Sequence, residues 1–233
     1  MAGKLAGGAR GLSDLRLERD GAQLFSGAAA AMLPALEECY AASPLAPGRR
    51  ITRLGALAPF LTGPGAIAGL VEQLAGRAMR PVRAIAFDKS PNANWALGWH
   101  QDRTINLAAR AEVEGYGPWT IKQGSPHVEP PFDVIAAMLT LRIHLDPVTP
   151  DNAPLEIALG THRMGYIAEP DVAAVVAESQ EAACLAQPGD GWAYATPVLH
   201  ASQRSRSKAR RRVLQVDFSS AALPAPLDWA MRV

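Results

Sequence analysis

The sequence predicts a mainly β protein with flanking helices, an α+β arrangement in which short antiparallel strands close into a barrel or sandwich and helices pack on one side. Three observations predict it. Helical periodicities are confined mostly to the first third of the chain, whereas from Pro81 onward short apolar or alternating runs are separated by Gly, Pro, Asn and Asp turns. No internal repeat and no linker-like composition divides the chain. Its 233 residues are enough for one well-buried core. The expectation is a flexible Gly- and Ala-rich tail over 1–11 and a single domain over 12–233.

In chain order, residues 15–25 alternate up to Asp20-Gly21, which reads as a strand pair or a turn into a strand. Ser26 then caps an Ala- and Leu-rich helix that reaches Tyr40, interrupted or started at Pro34. Residues 41–53, with Ser43-Pro44 and Pro47-Gly48, read as a loop. Ile67, Leu70, Val71 and Leu74 give helical spacing to 64–79. A strand over 82–87, a turn over 90–94 and a strand carrying His100 and Asp102 follow. Residues 115–131 read as a long irregular insertion, a binding loop or lid. The apolar run 135–145 predicts a core strand, with Thr140, Arg142 and His144 on one polar side. Residues 155–159 predict a strand, 171–186 a helix, and 192–195 and 213–218 two last strands.

Composition narrows the function classes. Apolar residues make up 48% and charged residues 19%, which excludes general disorder. A net charge of +1 gives no overall attraction to nucleic acid or anionic membranes, and no apolar run is long enough to span a bilayer. With only Cys39 and Cys184 there is no disulfide framework, so a cytoplasmic location is expected, a single bridge between the two staying open. Oligomeric state leaves no readable mark.

The chemistry centres on Trp99-His100-Gln101-Asp102. Side chains two residues apart on a strand share a face, so His100 and Asp102 can reach one metal ion. If His200, in Leu199-His-Ala-Ser202, comes to the same point, two imidazoles and one carboxylate form the facial triad of non-haem Fe(II) oxygenases. The bland alternative is a hydrogen-bonded His–Asp pair at a sheet edge and a separate surface histidine.

The wider pattern resembles the phytanoyl-CoA dioxygenase family of Fe(II)/2-oxoglutarate oxygenases, from about Arg19 to near the carboxyl terminus. The matching pieces are Arg19-Asp-Gly-Ala, Asp88-Lys-Ser-Pro, Trp99-His-Gln-Asp102, Asp151-Asn-Ala-Pro-Leu155, Gly160-Thr-His-Arg163 with Gly165, Pro188-Gly-Asp190, Leu199-His-Ala-Ser202 and Arg211-Arg-Val-Leu214. The resemblance implies a double-stranded β-helix, a jelly-roll or cupin-like barrel, with His100, Asp102 and His200 as catalytic iron ligands and 2-oxoglutarate and O2 as co-reactants. Ala153 stands where the family usually has Gly, and the proline that usually precedes Gly160-Thr161 is missing. With Asp102 in place, hydroxylation is implied in preference to halogenation, which needs that carboxylate position for halide.

An iron-bound 2-oxo acid leaves its far carboxylate in need of a buried cation, and a planar guanidinium matches two oxygens better than an ammonium. Residues 205–209 are expected to turn back as a hairpin that sets His200 beside Arg210 to Arg212. Family spacing points to Arg211, with Ser202 as hydroxyl partner and Lys89 as a further contact, while strand parity alone leaves Arg211 against Arg212 undecided. Six basic residues fall within 204–212, read as a solvated turn plus one buried Arg rather than a nucleic-acid patch. Arg142, His144, Trp119 and His127 are the expected substrate-lining residues, against a purely structural role for each. The expected activity is hydroxylation of a small molecule with release of succinate and CO2. Desaturation or cyclisation at the same site, and a non-catalytic metal- or ligand-binding barrel, are the alternatives.

Overall fold

Alternation along the strands decides the architecture, because one side of each long strand is aliphatic and the other carries polar groups that need an enclosed, paired environment. The computed structural model describes residues 11–41 and 48–232. Its strands are β1 (Ala22–Phe25), β2 (Gly48–Ile51), β3 (Arg80–Lys89), β4 (Leu97–His100), β5 (Ile105–Asn106), β6 (Trp119–Lys122), β7 (Ser125–Val128), β8 (Leu139–His144), β9 (Leu155–Ala158), β10 (Glu181–Cys184), β11 (Gly191–Ala195), β12 (His200–Ser202) and β13 (Arg211–Ser219). A six-stranded sheet runs β1-β11-β8-β13-β3-β2, and a four-stranded sheet runs β10-β9-β12-β4. Between them Leu155, Ile157 and Cys184 of the smaller sheet pack against Trp192 and Tyr194 of the larger. This is the mainly β, jelly-roll arrangement that the sequence predicts.

The helices are α1 (Leu17–Asp20), α2 (Leu33–Ala41), α3 (Ala58–Leu61), α4 (Ala66–Ala75), α5 (Phe132–Ala136) and α6 (Val172–Glu178). Leu36 of α2, Leu61 of α3, and Ile67 and Val71 of α4 bury the outer face of the large sheet through Ala84, Ala86, Leu141, Ile143, Leu214, Val216 and Phe218. Period two then sends Arg83, Ile85 and Phe87 of β3, Thr140, Arg142 and His144 of β8, and Arg211, Gln215 and Asp217 of β13 into the sandwich. Arg212 goes to the helical side, where it binds Asp146 and Glu37.

Several segments depart from the sequence expectation. The strand pair expected over 15–25 is instead the single turn α1 followed by β1. The Asp20 carboxylate accepts from the Arg16 N–H and the Arg19 guanidinium, and Gly21 ends the turn at φ 83. A Cβ on Gly21 would lie 2.6 Å from His162 Nδ1. In the stretch expected as a loop over 41–53, residues 48–51 add β2 to the edge of β3, and 42–47 lie outside the described residues, as does the expected tail apart from Gly11. The expected irregular insertion contains the hairpin β6–β7, whose turn residues Gln123 and Gly124 have φ 52 and 77, as a tight hairpin requires. Residues 135–145 split between the end of α5 and β8, and 171–186 between α6 and β10. The 205–209 turn does not make a hairpin: β12 and β13 lie in different sheets, and Arg211 pairs with Lys89 on β3. Cys39 and Cys184 are free thiols.

Ala153 has φ 51 in the left-handed region. Its carbonyl accepts from Ser202 Oγ at 3.3 Å and from Arg211 Nη1. The residue that departs from the family pattern is therefore backbone-strained and touches two expected cosubstrate residues. Replacing Ala153 by Gly is expected to raise the unfolding free energy by about 1 kcal/mol, read as a higher urea midpoint at unchanged slope.

Candidate active site

The site begins where β4 ends. His100 closes that strand, and the chain stays extended through Asp102 because Gln101, 3% exposed, is fixed on the opposite side. Its amide nitrogen donates to the carbonyls of Gly165 (3.0 Å) and Pro197 (2.8 Å), and its oxygen accepts from the Ile167 N–H (2.9 Å). Locking the middle residue directs both neighbours to the other face. His200 opens β12 directly across from His100, and their ring centroids are 4.3 Å apart. One potential ligand atom from each of His100, Asp102 and His200 lies within 4.8 Å of the others.

The donor chemistry fits a metal. His100 Nδ1 lies 2.7 Å from the Gly98 carbonyl and His200 Nδ1 lies 3.0 Å from the Val198 carbonyl. A carbonyl only accepts, so each Nδ1 carries the proton and each Nε2 lone pair is left for an ion. Burial, and then His100, push His200 down to about 4, so it is neutral at physiological pH. Asp102 is held from one side. Its Oδ2 accepts from Arg83 Nη2 at 3.1 Å, which leaves the other oxygen for coordination. Burial opposes its ionisation, but the Arg83 guanidinium outweighs burial and keeps the carboxyl below its ordinary range.

Arg83 also binds Asp217 through Nε. Fully buried, Asp217 accepts in addition from Thr140 Oγ1 (3.1 Å) and Gln215 Nε2 (3.3 Å). Sequence reasoning missed Arg83, Gln215 and Asp217. The available signal was polar residues at alternate positions inside otherwise apolar strands.

On the far side of the ligand cluster lies a cationic nest. Lys89 is 1% exposed and donates to Ser202 Oγ (3.2 Å) and the Gln203 carbonyl (2.7 Å), with its ammonium 4.9 Å from the Trp95 ring centre. Buried Arg211 keeps an unpaired Nε, and Arg142 donates to Gln215 Oε1 (3.3 Å) while its own Nε is unpaired. Both ring nitrogens of buried His144 lack partners. Among the described residues no carboxylate pairs with Lys89, Arg142 or Arg211, whereas the outward Arg210 and Arg212 are paired with Asp88 and Asp146. Burial and then Arg211 and Arg142 push Lys89 down to about 7, and burial and then Arg142 push Arg211 down to about 9. His144 is held well below its ordinary range by burial, Arg142 and Arg211. Charges buried without counter-ions are costly, and a dianion relieves this nest.

A cavity of about 100 Å³ links the two parts, lined by Arg83, Phe87, Trp95, the ligand side chains and Arg142. His144 sits at the cationic end. His127 lies on the β6–β7 hairpin, fully buried, while Trp119 is not brought to the ligands: it packs with Val128 and Ile105 under the Arg110 guanidinium. Half of the six basic residues in 204–212 pair with carboxylates: Arg206 with Asp151, Arg210 with Asp88 and Arg212 with Asp146. Among the described residues no helix is long and apolar enough to cross a membrane.

A family model described as Phytanoyl-CoA dioxygenase (PhyH) matches residues 64–213. No curated protein matches the chain. Among solved structures, it is similar to the non-heme alpha ketoglutarate dependent epimerase SnoN from nogalamycin biosynthesis, at 16% identity and TM-score 0.62, over 90% of this chain and 80% of that one. It is also similar to EctD from S. alaskensis with bound Fe, at 16% identity and TM-score 0.62, over 87% and 74% of the two chains. HygX from Streptomyces hygroscopicus with nickel and 2-oxoglutarate bound gives 12% identity and TM-score 0.58, over 87% and 84%. At such identities the likeness is one of fold.

The pairing around Arg83 gives a direct stability test. Arg83→Met leaves Asp217 buried and uncompensated, an expected loss of about 3–5 kcal/mol. Adding Asp217→Leu is expected to restore more than half of it, both read by urea unfolding.

Proposed function

The chain belongs to the phytanoyl-CoA dioxygenase family of Fe(II)/2-oxoglutarate-dependent oxygenases, and from that premise we propose that it hydroxylates a C–H bond of a small molecule, releasing succinate and CO2. Residues 12–233 act as one oxygenase unit in this reading, with His100, Asp102 and His200 holding the iron. One observation carries it: three ligand atoms within 4.8 Å of one another adjoin a buried group of cations that has no carboxylate of its own among the described residues.

When bound, iron with 2-oxoglutarate and O2 supplies an oxidant able to attack an unactivated C–H bond. The protein's own residues do the placing. Arg211 and Lys89 receive the distal carboxylate of the cosubstrate, and the Ser202 hydroxyl, which accepts from Lys89 and donates to the Ala153 carbonyl, turns its proton to that carboxylate. Arg83 keeps Asp102 ionised and one-sided. Phe87 and Trp95 wall the cavity and keep water from the reacting atoms. Arg142 lines that cavity and is assigned to the boundary between cosubstrate and substrate, His144 to the cosubstrate end, His127 to the substrate side, and Trp119 to supporting the hairpin. Retention of the Asp102 carboxylate favours hydroxylation over halide transfer.

Purified protein with Fe(II), ascorbate and 2-oxoglutarate is expected to form succinate, and His100→Ala to form none; turnover retained in that variant would sink the ligand assignment. Lys89 provides a second readout. With its free value near 7, it is mostly neutral at pH 8, and a bound dianion favours the ammonium, so cosubstrate binding takes up protons. Calorimetry of the metal-loaded protein at pH 8 is expected to show an enthalpy that varies with the ionisation heat of the buffer. That variation is lost in Lys89→Met.

A further inference from the structure

A second group of cations, without carboxylate partners among the described residues, lies on β2 and the β6–β7 hairpin, apart from the cosubstrate nest. On the edge strand β2, Arg49 donates to the Cys39 carbonyl and Ile51 joins the helical core. Parity therefore sends Arg50 to the face that carries Arg83 and Ile85 of β3. Arg50 Nε and Nη1 are buried without hydrogen-bond partners, and no carboxylate pairs with this side chain among the described residues. Facing it is the small sheet of β5, β7 and β6. His127 sits opposite Asn106 on one side and Thr120 on the other, and Lys122 opposite Ser125, so Asn106, His127 and Lys122 share a face.

Asn106 borders, with Arg50 and Arg83, a small void of about 10 Å³. Gln123 Nε2 donates to the Gly48 carbonyl at 2.8 Å and ties the hairpin tip to β2, while Lys122 Nζ reaches Thr104 Oγ1 at 2.9 Å, two residues beyond Asp102. His127 donates from Nδ1 to the Ser125 carbonyl (2.9 Å), which leaves Nε2 as a buried acceptor with no partner. The carboxylates within reach, Asp102 and Asp217, are both held by Arg83. The mutual effect of these groups agrees with the geometry. Burial and then Arg83 lower Arg50, and burial together with Arg50, Arg83 and Lys122 pushes His127 down to about 4.

Arg50 lies opposite Ile85, four residues from Lys89 on β3, roughly 13 Å along an extended strand. One five-carbon diacid bound to the ligands cannot satisfy both groups. Buried guanidinium N–H groups without acceptors are unfavourable until an anion completes them.

We propose that Arg50, Lys122 and His127 form an anion-recognition rim for the substrate, so that the enzyme acts on a small molecule bearing a carboxylate or phosphate. Arg50 supplies the fork, Lys122 the second charge, and neutral His127 an acceptor for a hydroxyl beside the anionic group. The proposal rests on the oxygenase reading of the ligand cluster, since it places the reacting C–H between this rim and the metal ligands.

The test uses the Ni(II)-loaded full chain saturated with 2-oxoglutarate, so that the cosubstrate nest is filled. Inorganic phosphate and acetate are titrated at constant ionic strength against potassium chloride while Tm is followed. At least one of the two anions is expected to raise Tm beyond the chloride control, and which one does so separates a phosphoryl from a carboxylate substrate. Arg50→Gln is expected to raise the half-saturating concentration about tenfold or more, and Lys122→Gln, an exposed change that leaves the fold intact, by a smaller factor. The 2-oxoglutarate affinity is unchanged in both.

No stabilisation by either anion, or an unchanged response in both variants, overturns the proposal. Failure of nickel-loaded protein to bind 2-oxoglutarate overturns the oxygenase reading instead. The same comparison of wild type and variants without cosubstrate then still decides whether the rim binds anions.

Discussion

One guanidinium holds the interior together. Arg83 stands between Asp102 and Asp217 inside the sandwich, and through them it is joined to Thr140, Gln215, Arg142 and Tyr194. A buried carboxylate needs a partner or it will protonate. Sharing a single cation leaves Asp217 fully engaged and Asp102 engaged on one oxygen only. This asymmetry makes one aspartate structural and the other available to a metal.

Much of this was legible in the sequence, and what was not has definite physical causes. The large sheet could be read because β3, β8 and β13 carry aliphatic residues at every second position, and the helical layer because Ile67, Leu70, Val71 and Leu74 repeat with the helical period. The clustering of His100, Asp102 and His200 could be read once the family pattern joined His200 to the other two. Local pattern failed where a segment changes state without a Gly or Pro to mark it, as between α5 and β8 or between α6 and β10. It failed again at β2, where a Gly- and Arg-rich stretch becomes a strand because the β3 edge offers it hydrogen-bonding partners. The Arg211 and Arg212 ambiguity needed tertiary structure: only the helical layer, by taking Leu214, Val216 and Phe218, tells which parity faces inward.

Cationic groups lie on both sides of the ligand cluster, which explains how a chain with a net charge of +1 presents a strongly positive interior. The acidic residues are spent elsewhere. Asp88 and Asp146 neutralise arginines that face outward or toward the helices, and Asp151 pairs with Arg206 in the 204–212 turn. Field strength inside a low-dielectric cavity depends on which charges are left uncompensated there, and global composition averages that information away.

Gln101 has an implication for how such a scaffold can diversify. Every bond its side chain makes is to main-chain atoms, at Gly165, Ile167 and Pro197. The side chain of Met164, 57% exposed, takes no part in that anchor, whereas Tyr166 is held under Arg103. The loop can therefore exchange Met164 through mutation without disturbing the spacing of His100 and Asp102. Surface identity and ligand geometry are thereby separated into independently heritable traits.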